Sequence, residues 1–147
     1  GSSFLPSEVT AAFLYAQIES LEKIQARRKM LWDRYYHSLS PLQAAGKVRL
    51  PCVPAYATNN AHMFYLICKS LEERTGLIGH LKEQGICAVF HYQSLHKSLF
   101  YIAKHDGREL PWSDYYTDCL IRLPLFYELS EQDLDRVISA VNAFYAQ

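Results

Sequence analysis

The feature that most constrains this chain is a stretch from Ser7 to Ser40 that contains neither glycine nor proline. Prolines flank this stretch at Pro6 and Pro41, and Ser7 is a residue type that favours helix N-caps. We therefore expect one helix from about Pro6 to about Ser38, far longer than the average of roughly 11–12 residues.

This expected helix carries two apolar stripes, which indicates contact with two bodies rather than one. The first stripe comprises Val9, Ala12, Phe13 and Ala16, and the second, more mixed stripe comprises Leu14, Ile18, Leu21, Gln25, Arg28, Trp32 and Tyr35. The basic run Arg27–Lys29 is expected to lie on a solvated face.

The remainder of the chain alternates short apolar runs with capped helical segments. Strands are expected at Val48–Leu50, His62–Cys68, Ile86–Tyr92 and Cys119–Leu123, and helices after Ser70, from about Ser113 and after Ser130. In the helix after Ser70, the inward-facing residues are expected to be Leu71, Ile78 and Leu81. In the helix after Ser130, the apolar stripe comprises Leu134, Val137, Ile138, Val141 and Phe144. The strand at 62–68 is nearly all apolar, so we expect it to be central and covered on both faces.

This order of elements predicts an α+β fold, in which a small, mostly antiparallel sheet of three or four strands has helices on one face. The succession of strand, helix and strand at its centre resembles half of a split β-α-β unit. At 147 residues the chain suits one domain, divided into a long linking helix at 1–45 and an α+β layer at 46–147. The uncovered sheet face and the far side of the long helix require a neighbour, which suggests that a further domain belongs with this one.

Composition excludes several classes of function. Fifteen Lys and Arg balance fifteen Asp and Glu, so nucleic acid and membrane surfaces are not expected partners. No apolar run approaches the roughly 20 residues that cross a bilayer, and the first residues lack the pattern of a signal peptide. The four cysteines form no C-x-x-C pair, which is typical of reduced thiols in a cytoplasmic protein.

One polar segment, His91–His96, combines two imidazoles and a phenol where an expected strand meets a long loop region. Such groups can bind sugar hydroxyls or phosphate oxygens. They equally suit one core histidine, one solvent histidine and a structural tyrosine, and the pattern alone favours this second interpretation. A zinc site built on Cys87 and His91 is weaker, because no further ligand has supporting spacing.

Two other groups of residues have a structural and a functional interpretation. Trp112, Tyr115 and Tyr116 can stack on a base or a sugar, but such a group more often closes a loop over the core. None of the seven lysines lies in a local pattern that indicates a lowered pKa, so spacing identifies no Schiff-base lysine.

Segments spread over nearly the whole chain occur in an order that characterises a known family. They are Gly1–Glu8, Ala11–Ala12, Ala16–Glu19, Arg27–Arg28, Asn60–Tyr65, Gly85–Ile86, His91–His96, Arg122–Tyr127 and Leu129–Ser130. Together they resemble the C-terminal part of sugar-nucleotide aminotransferases of the DegT/DnrJ/StrS type. The resemblance implies the small domain of a fold type I enzyme that depends on pyridoxal 5'-phosphate (PLP).

The resemblance also implies an activity and partners. Glutamate donates an amino group through PLP, and a 4-keto-6-deoxy sugar carried on dTDP receives it. The family's active site lies at a homodimer interface, and a large N-terminal α/β domain holds the PLP-binding lysine and the aspartate that pairs with the pyridine nitrogen. Neither residue is expected in this chain, so we expect the chain alone to be inactive.

Site residues follow from the same resemblance. Near its start the family carries Asn-Tyr-Arg, whose asparagine reaches the PLP phosphate of the partner subunit. The aligned residues are Ser3, Phe4 and Leu5, of which Ser3 keeps a hydroxyl donor and Leu5 lacks the guanidinium group.

The family's His-Tyr-x-x-Leu-His loop lies near the nucleotide-sugar site, and His91, Tyr92 and His96 match it as expected substrate-binding residues. In the family a proline usually precedes the leucine of this loop. Here the residue is Ser94, from which we expect a looser loop.

A second hypothesis is a stand-alone, non-catalytic α+β binding or interaction module. The aminotransferase hypothesis predicts an upstream reading frame for a PLP-type large domain, whereas the module hypothesis predicts a native start near Gly1. A separated small domain is also expected to expose apolar surface and to self-associate.

Overall fold

The computed structural model describes residues 4–146, which form five α-helices and a three-stranded sheet. The elements are α1 (Glu8–Glu19), α2 (Leu21–Ala44), β1 (Phe64–Ile67), α3 (Leu71–Glu83), β2 (Val89–Phe90), α4 (Pro111–Cys119), β3 (Leu120–Leu123) and α5 (Glu131–Tyr145). A single 3₁₀ turn, Leu95–Lys97, lies between β2 and α4. The α+β class is therefore confirmed.

The expected single N-terminal helix is two helices, because the chain breaks at Ser20. The backbone N–H of Ser20 turns back to the carbonyl of Gln17 at 3.1 Å, which ends α1. Hydrogen bonding resumes when the Ile24 N–H donates to the Ser20 carbonyl at 3.0 Å. The prediction of one uninterrupted helix was wrong, because the helix is interrupted at a serine rather than at a glycine or a proline.

Helix α2 also continues beyond its expected end near Ser38 and includes Pro41. A proline inside a helix leaves the carbonyl four residues earlier without its N–H donor. Here that carbonyl belongs to His37, and the hydroxyl of Ser40 donates to it at 2.8 Å. The neighbouring serine thus replaces the lost hydrogen bond, and the helix reaches Ala44.

The sheet has the strand order β1-β3-β2, and both outer strands run antiparallel to β3. Strands β1 and β2 are therefore parallel to each other and are joined through α3 with β3 between them, which confirms the split β-α-β arrangement. The central strand is β3, so the prediction of a central strand at 62–68 was wrong. The run Ile86–Tyr92 pairs only at Val89–Phe90, and Val48–Leu50 contributes one bridge, Arg49 to Ile67.

The core lies on one face of the sheet. Phe64 and Leu66 of β1 and Ile121 and Leu123 of β3 are buried there, beneath apolar side chains of α2, α3 and α5. The apolar stripe of α5 is confirmed. In α3, Leu77 and Leu81 are buried whereas Leu71 is 41% exposed, so its expected inward position was wrong.

Helix starts follow the expected serine caps. The Ser70 hydroxyl accepts the N–H of Glu73 at 3.2 Å, and the Glu73 carboxylate accepts the N–H of Lys69 at 3.0 Å. The Ser130 hydroxyl accepts the N–H of Asp133 at 3.0 Å. These caps confirm where α3 and α5 begin.

Side chains of α2 hold the segment that leads into β1. The Arg28 guanidinium donates to the carbonyl of Ala61 at 3.1 Å and to that of His62, and the Trp32 indole N–H donates to the carbonyl of Met63 at 3.1 Å. Three successive carbonyls are thereby satisfied before the sheet begins. We call these three bonds the carbonyl clamp.

The expectation that the basic run Arg27–Lys29 is simply solvated was wrong for two of its residues. Arg28 belongs to the carbonyl clamp, and Arg27 donates to the carbonyl of Leu129 at 2.7 Å, just before α5. Lys29 is exposed and pairs with Asp33 one helical turn later, at 3.4 Å.

Helix α1 is exposed on all sides and has no buried residue. Val9 and Phe13 of its first stripe are 81% and 72% exposed, and Leu14 and Ile18 of its second are both 53% exposed. The exposed apolar surface expected of a separated domain is therefore present, and self-association stays a prediction. No helix within residues 4–146 is long and apolar enough to cross a membrane.

The carbonyl clamp predicts that Arg28→Ala lowers the free energy of unfolding by about 2 kcal/mol, since hydrogen bonds from a charged donor to the carbonyls of the buried Ala61 and of His62 are lost. Urea denaturation of the purified chain measures this change. Lys29→Ala is the matched control and should change stability by less than about 0.5 kcal/mol, because its ion pair is exposed. Equal losses in the two variants would contradict a structural role for Arg28.

Candidate functional site

The chain leaving β2 places His91 and Tyr92 beside Arg122 of the central strand. The rings of His91 and Tyr92 meet edge to face with centroids 4.6 Å apart, and the Arg122 guanidinium lies 5.9 Å from the centre of the Tyr92 ring. Tyr92 is 68% exposed, so its ring and hydroxyl remain accessible. Two of the three predicted substrate-binding residues therefore lie together, with a cation that the predictions did not include.

Two polar atoms of this group are buried without partners. Within residues 4–146, neither His91 Nδ1 nor Arg122 Nε has a hydrogen-bond partner. Burial lowers the pKa of His91, and the nearby Arg122 charge lowers it further. A neutral imidazole, a guanidinium and an exposed phenol can together bind a ligand that carries negative charge and hydroxyl groups.

His96 belongs to a different group of side chains. Its Nε2 lies 3.1 Å from Oδ1 of Asp114 in the first turn of α4, and its ring centroid lies 5.3 Å from that of His105. The Lys97 ammonium reaches the same Asp114 oxygen at 2.9 Å. The contacts of the two predicted histidines thus divide between two groups, one on the sheet and one on α4.

Hydrogen bonding to Lys97 holds the pKa of Asp114 below its ordinary value, and His96 and Ser94 act in the same direction. The carboxylate is therefore ionised at neutral pH and serves as the common acceptor of this group.

Ser94 is buried and ties its loop to α4. Its hydroxyl lies 2.7 Å from the hydroxyl of Thr117 and 3.3 Å from both the carbonyl of Ser113 and Oδ1 of Asp114. The looser loop expected from the replacement of proline is not what the structure shows, because these side-chain bonds attach the loop.

A cavity of about 440 Å³ lies next to this second group. Its lining combines cationic or titratable bases with carboxylates and apolar residues, namely His96, Lys97, Ile102, His105, Gly107, Arg108, Glu109, Leu110, Pro111 and Asp114. Since both signs of charge line it, the cavity suits a polar ligand rather than a simple anion.

The aromatic residues of α4 contact one another edge to face but differ in exposure, with ring centroids 6.2 Å apart for Trp112 and Tyr115 and 5.4 Å apart for Tyr115 and Tyr116. Trp112 is 70% exposed, so it does not close a loop over the core. Tyr115 is half-buried and its hydroxyl lies against Arg49 at the sheet edge, where it raises the pKa of that guanidinium.

Residues that would hold a cofactor are few in the described part of the chain. Ser3, the predicted phosphate-binding residue, lies outside it, so its role stays a prediction. All seven lysines fall within residues 4–146 and all are exposed, so none of them lies in a pocket enclosed by this part of the chain.

Metal binding has no support either. Among residues 4–146 no group of three or more His, Cys, Asp or Glu side chains could hold a metal ion. Cys87 is an exposed free thiol.

Sequence reasoning missed Arg122, Asp114 and Ser94 as parts of these groups. Arg122 could have been noticed, because a charged residue within an apolar strand faces away from the core. Asp114 and Ser94 carry no comparable signal, since their partners lie in another element.

Comparison with known proteins decides the family. The model of the DegT/DnrJ/EryC1/StrS aminotransferase family matches residues 1–142. The chain belongs to this family. The resemblance inferred from the sequence is therefore confirmed.

Solved structures agree with the family assignment. DesV from S. venezuelae is 26% identical with a TM-score of 0.84, and the match covers 93% of this chain and 36% of that one. An aminotransferase of the same family from Brucella abortus is 27% identical with a TM-score of 0.78, covering 93% and 35%.

A third match, the putative sugar aminotransferase Spr1654 from Streptococcus pneumoniae in its PLP-form, is 24% identical with a TM-score of 0.74 and shares the fold. It covers 90% of this chain and 34% of that chain. The chain thus spans about a third of the length of the aminotransferases that it matches, and its fold is that of their small domain.

The Arg122 charge predicts a shift in the titration of His91. Arg122→Met should raise the pKa of His91, because the protonated imidazole no longer meets a neighbouring cation. The value should stay below the ordinary one, since burial remains the larger cause. NMR titration of the His91 imidazole protons measures this pKa. The control is Arg136→Met, which removes an exposed arginine of α5. An unchanged midpoint in Arg122→Met would contradict the contact.

The contacts of Asp114 predict that the attachment of the loop at residues 94–97 to α4 depends on pH. The folded pKa of Asp114 lies below the unfolded value of about 3.9, so the stabilising contacts are complete above that pH and are lost as pH falls through the folded pKa. Carboxyl ¹³C titration should give a midpoint that rises in Lys97→Met. The Lys104 ammonium lies over the Phe100 ring rather than beside Asp114, so Lys104→Met should leave the midpoint unchanged. A midpoint at or above 3.9 in the unmodified chain would refute this account.

Proposed function

We propose that this chain is the C-terminal, substrate-side part of a PLP-dependent aminotransferase that transfers an amino group from glutamate to a dTDP-4-keto-6-deoxy sugar. The observation that carries the proposal is the family match over residues 1–142, in a chain that spans about a third of its solved relatives. A family member solved in its PLP-form supports the cofactor.

In this proposal PLP is held mainly by the enzyme's own large N-terminal domain, which supplies the lysine. When bound, PLP stabilises the negative charge that develops as the amino group is transferred. The exposure of every lysine in this chain supports a separate origin of the PLP-binding residue. The exposed α1 and the half-exposed sheet face offer apolar surface to that domain and to the partner subunit of a homodimer.

Recognition of the nucleotide sugar is the proposed task of His91, Tyr92 and His96. Arg122 adds a positive charge beside His91 and Tyr92, which is favourable for a diphosphate group. The neutral His91 and the exposed Tyr92 hydroxyl can bind oxygen atoms of the nucleotide or the sugar. These residues position the substrate and exclude water, and proton transfer at the reacting carbon is left to the lysine.

The proposed substrate rests on further resemblance. The opening residues 1–5 and the run Asn60–Tyr65 are most similar to dTDP-4-amino-4,6-dideoxygalactose transaminase. We therefore propose a cytoplasmic enzyme of cell-surface polysaccharide synthesis, with enterobacterial common antigen as the expected product pathway.

The isolated 147-residue chain should form no specific imine with PLP. We expect no saturable imine absorbance band at one PLP per chain, because its lysines are exposed and lack a cofactor pocket. The same protein extended by the upstream coding sequence should show the band and should aminate the dTDP-keto sugar with glutamate.

An imine band on the 147-residue chain that borohydride reduces to a specific lysine adduct would contradict the assignment of that residue to another domain. An upstream sequence without a PLP-type domain would favour the stand-alone binding module.

A further inference from the structure

We propose that Ser94 and Asp114 are positioning residues that hold His96 for the nucleotide-sugar substrate. We call the side chains of Ser94, Asp114 and Thr117 the loop latch. The substrate in this inference rests on the proposed function, whereas the latch itself rests on contacts within this chain.

The contacts of the loop centre on Asp114. Its Oδ1 accepts a hydrogen bond from Ser94 Oγ at 3.3 Å and lies 3.1 Å from His96 Nε2 and 2.9 Å from Lys97 Nζ. Asp114 lies in the first turn of α4, where the helix dipole favours a negative charge. Three polar side chains from residues 94–97 therefore lie close together at the start of α4.

Ser94 is only 4% exposed, so its hydroxyl depends on protein partners. A serine hydroxyl has one hydrogen to donate and can accept others. Thr117, 2.7 Å away, can donate to Ser94 and leave the Ser94 hydrogen for Asp114 Oδ1 and the Ser113 carbonyl, which both lie 3.3 Å away. A buried hydroxyl without such partners would be costly, so these contacts stabilise the loop.

The loop latch takes the place of a proline. At position 94 the φ angle is −56°, within the range of about −65 ± 15° that a proline ring imposes. The resemblance places a proline here in most of the family. In this chain the same backbone shape is thus accompanied by side-chain hydrogen bonds to α4.

The consequence for His96 is a fixed position of its ring. The imidazole Nε2 lies 3.1 Å from Oδ1 of Asp114, and the side chain is only 10% exposed and lines the cavity of about 440 Å³. The loop latch therefore holds the imidazole at the cavity, where its nitrogen atoms can meet polar groups of a substrate.

Hydrogen exchange tests the latch in the 147-residue chain. The reporters are the amides of Lys97 and Ser98, which donate to the carbonyls of Ser94 and Leu95 at 3.0 Å each. Ser94→Ala and Asp114→Asn should speed their exchange at least about tenfold. Ser94→Pro should leave it slow, because the ring restricts the same backbone.

The matched control for Asp114→Asn is Asp118→Asn, which removes a carboxylate from the same helix, α4, without removing a contact of Ser94 or His96. It should leave both amides unchanged. The ¹⁵N shifts of the His96 ring should change in Asp114→Asn alone. Unchanged exchange in both Ser94→Ala and Asp114→Asn, or equal effects in the control, would overturn the latch.

Kinetics of the protein joined to its PLP domain test the positioning role. Ser94→Ala and Asp114→Asn should raise KM for the dTDP-4-keto-6-deoxy sugar about tenfold. The glutamate half-reaction should stay as in the parent enzyme, and Ser94→Pro should keep a KM near the parent value.

An unchanged sugar KM despite faster amide exchange would overturn the positioning role. A parent enzyme that aminates no nucleotide sugar would instead refute the proposed function, and the exchange measurement would still decide the latch. The two failures are therefore distinguishable.

Discussion

The carbonyl clamp is the interaction on which the rest of this structure depends. Arg28 and Trp32 donate hydrogen bonds to three successive carbonyls that precede β1, and so attach this segment to α2. Within this clamp Ala61 is fully buried and adopts a φ of 49°, in the left-handed region that few non-glycine residues occupy. The clamp therefore holds the chain in an unfavourable turn at the point where the sheet begins.

The register of the sheet follows from that starting point. Strand side chains alternate between faces, so a slip of one residue in β1 would exchange Phe64 for Tyr65 on the core face. In the observed register Tyr65 and Val89 both lie opposite Arg122, on the face away from the core. The guanidinium is thereby placed next to the residues that leave β2, and the first part of the candidate site exists because β3 is central.

The two groups of candidate residues are built in different ways. His91, Tyr92 and Arg122 depend on the sheet and retain buried polar atoms without partners in the described part of the chain. His96 depends on the loop latch, where Asp114 lies close to both His96 and Lys97. The second group also keeps one buried nitrogen without a hydrogen-bond partner in the described part of the chain, Nε2 of His105.

The sequence by itself determined the features that are set by local periodicity and local hydrogen bonds. The serine caps of α3 and α5 and the apolar stripe of α5 need only neighbours within a few residues, which the sequence displays directly. The family was likewise readable, because its characteristic segments occur in order along the chain.

Tertiary structure alone decided which strand is central, that Arg28 is a structural donor and that the two histidines belong to separate groups. Arg28 and Ala61 are 33 residues apart, and Ser94 and Asp114 are 20 apart. Such pairs form when packing brings distant elements together, and no local pattern records which distant carbonyl or carboxylate a donor will meet. The break at Ser20 and the continuation through Pro41 involve only local hydrogen bonds, but the residue types at these positions did not indicate them.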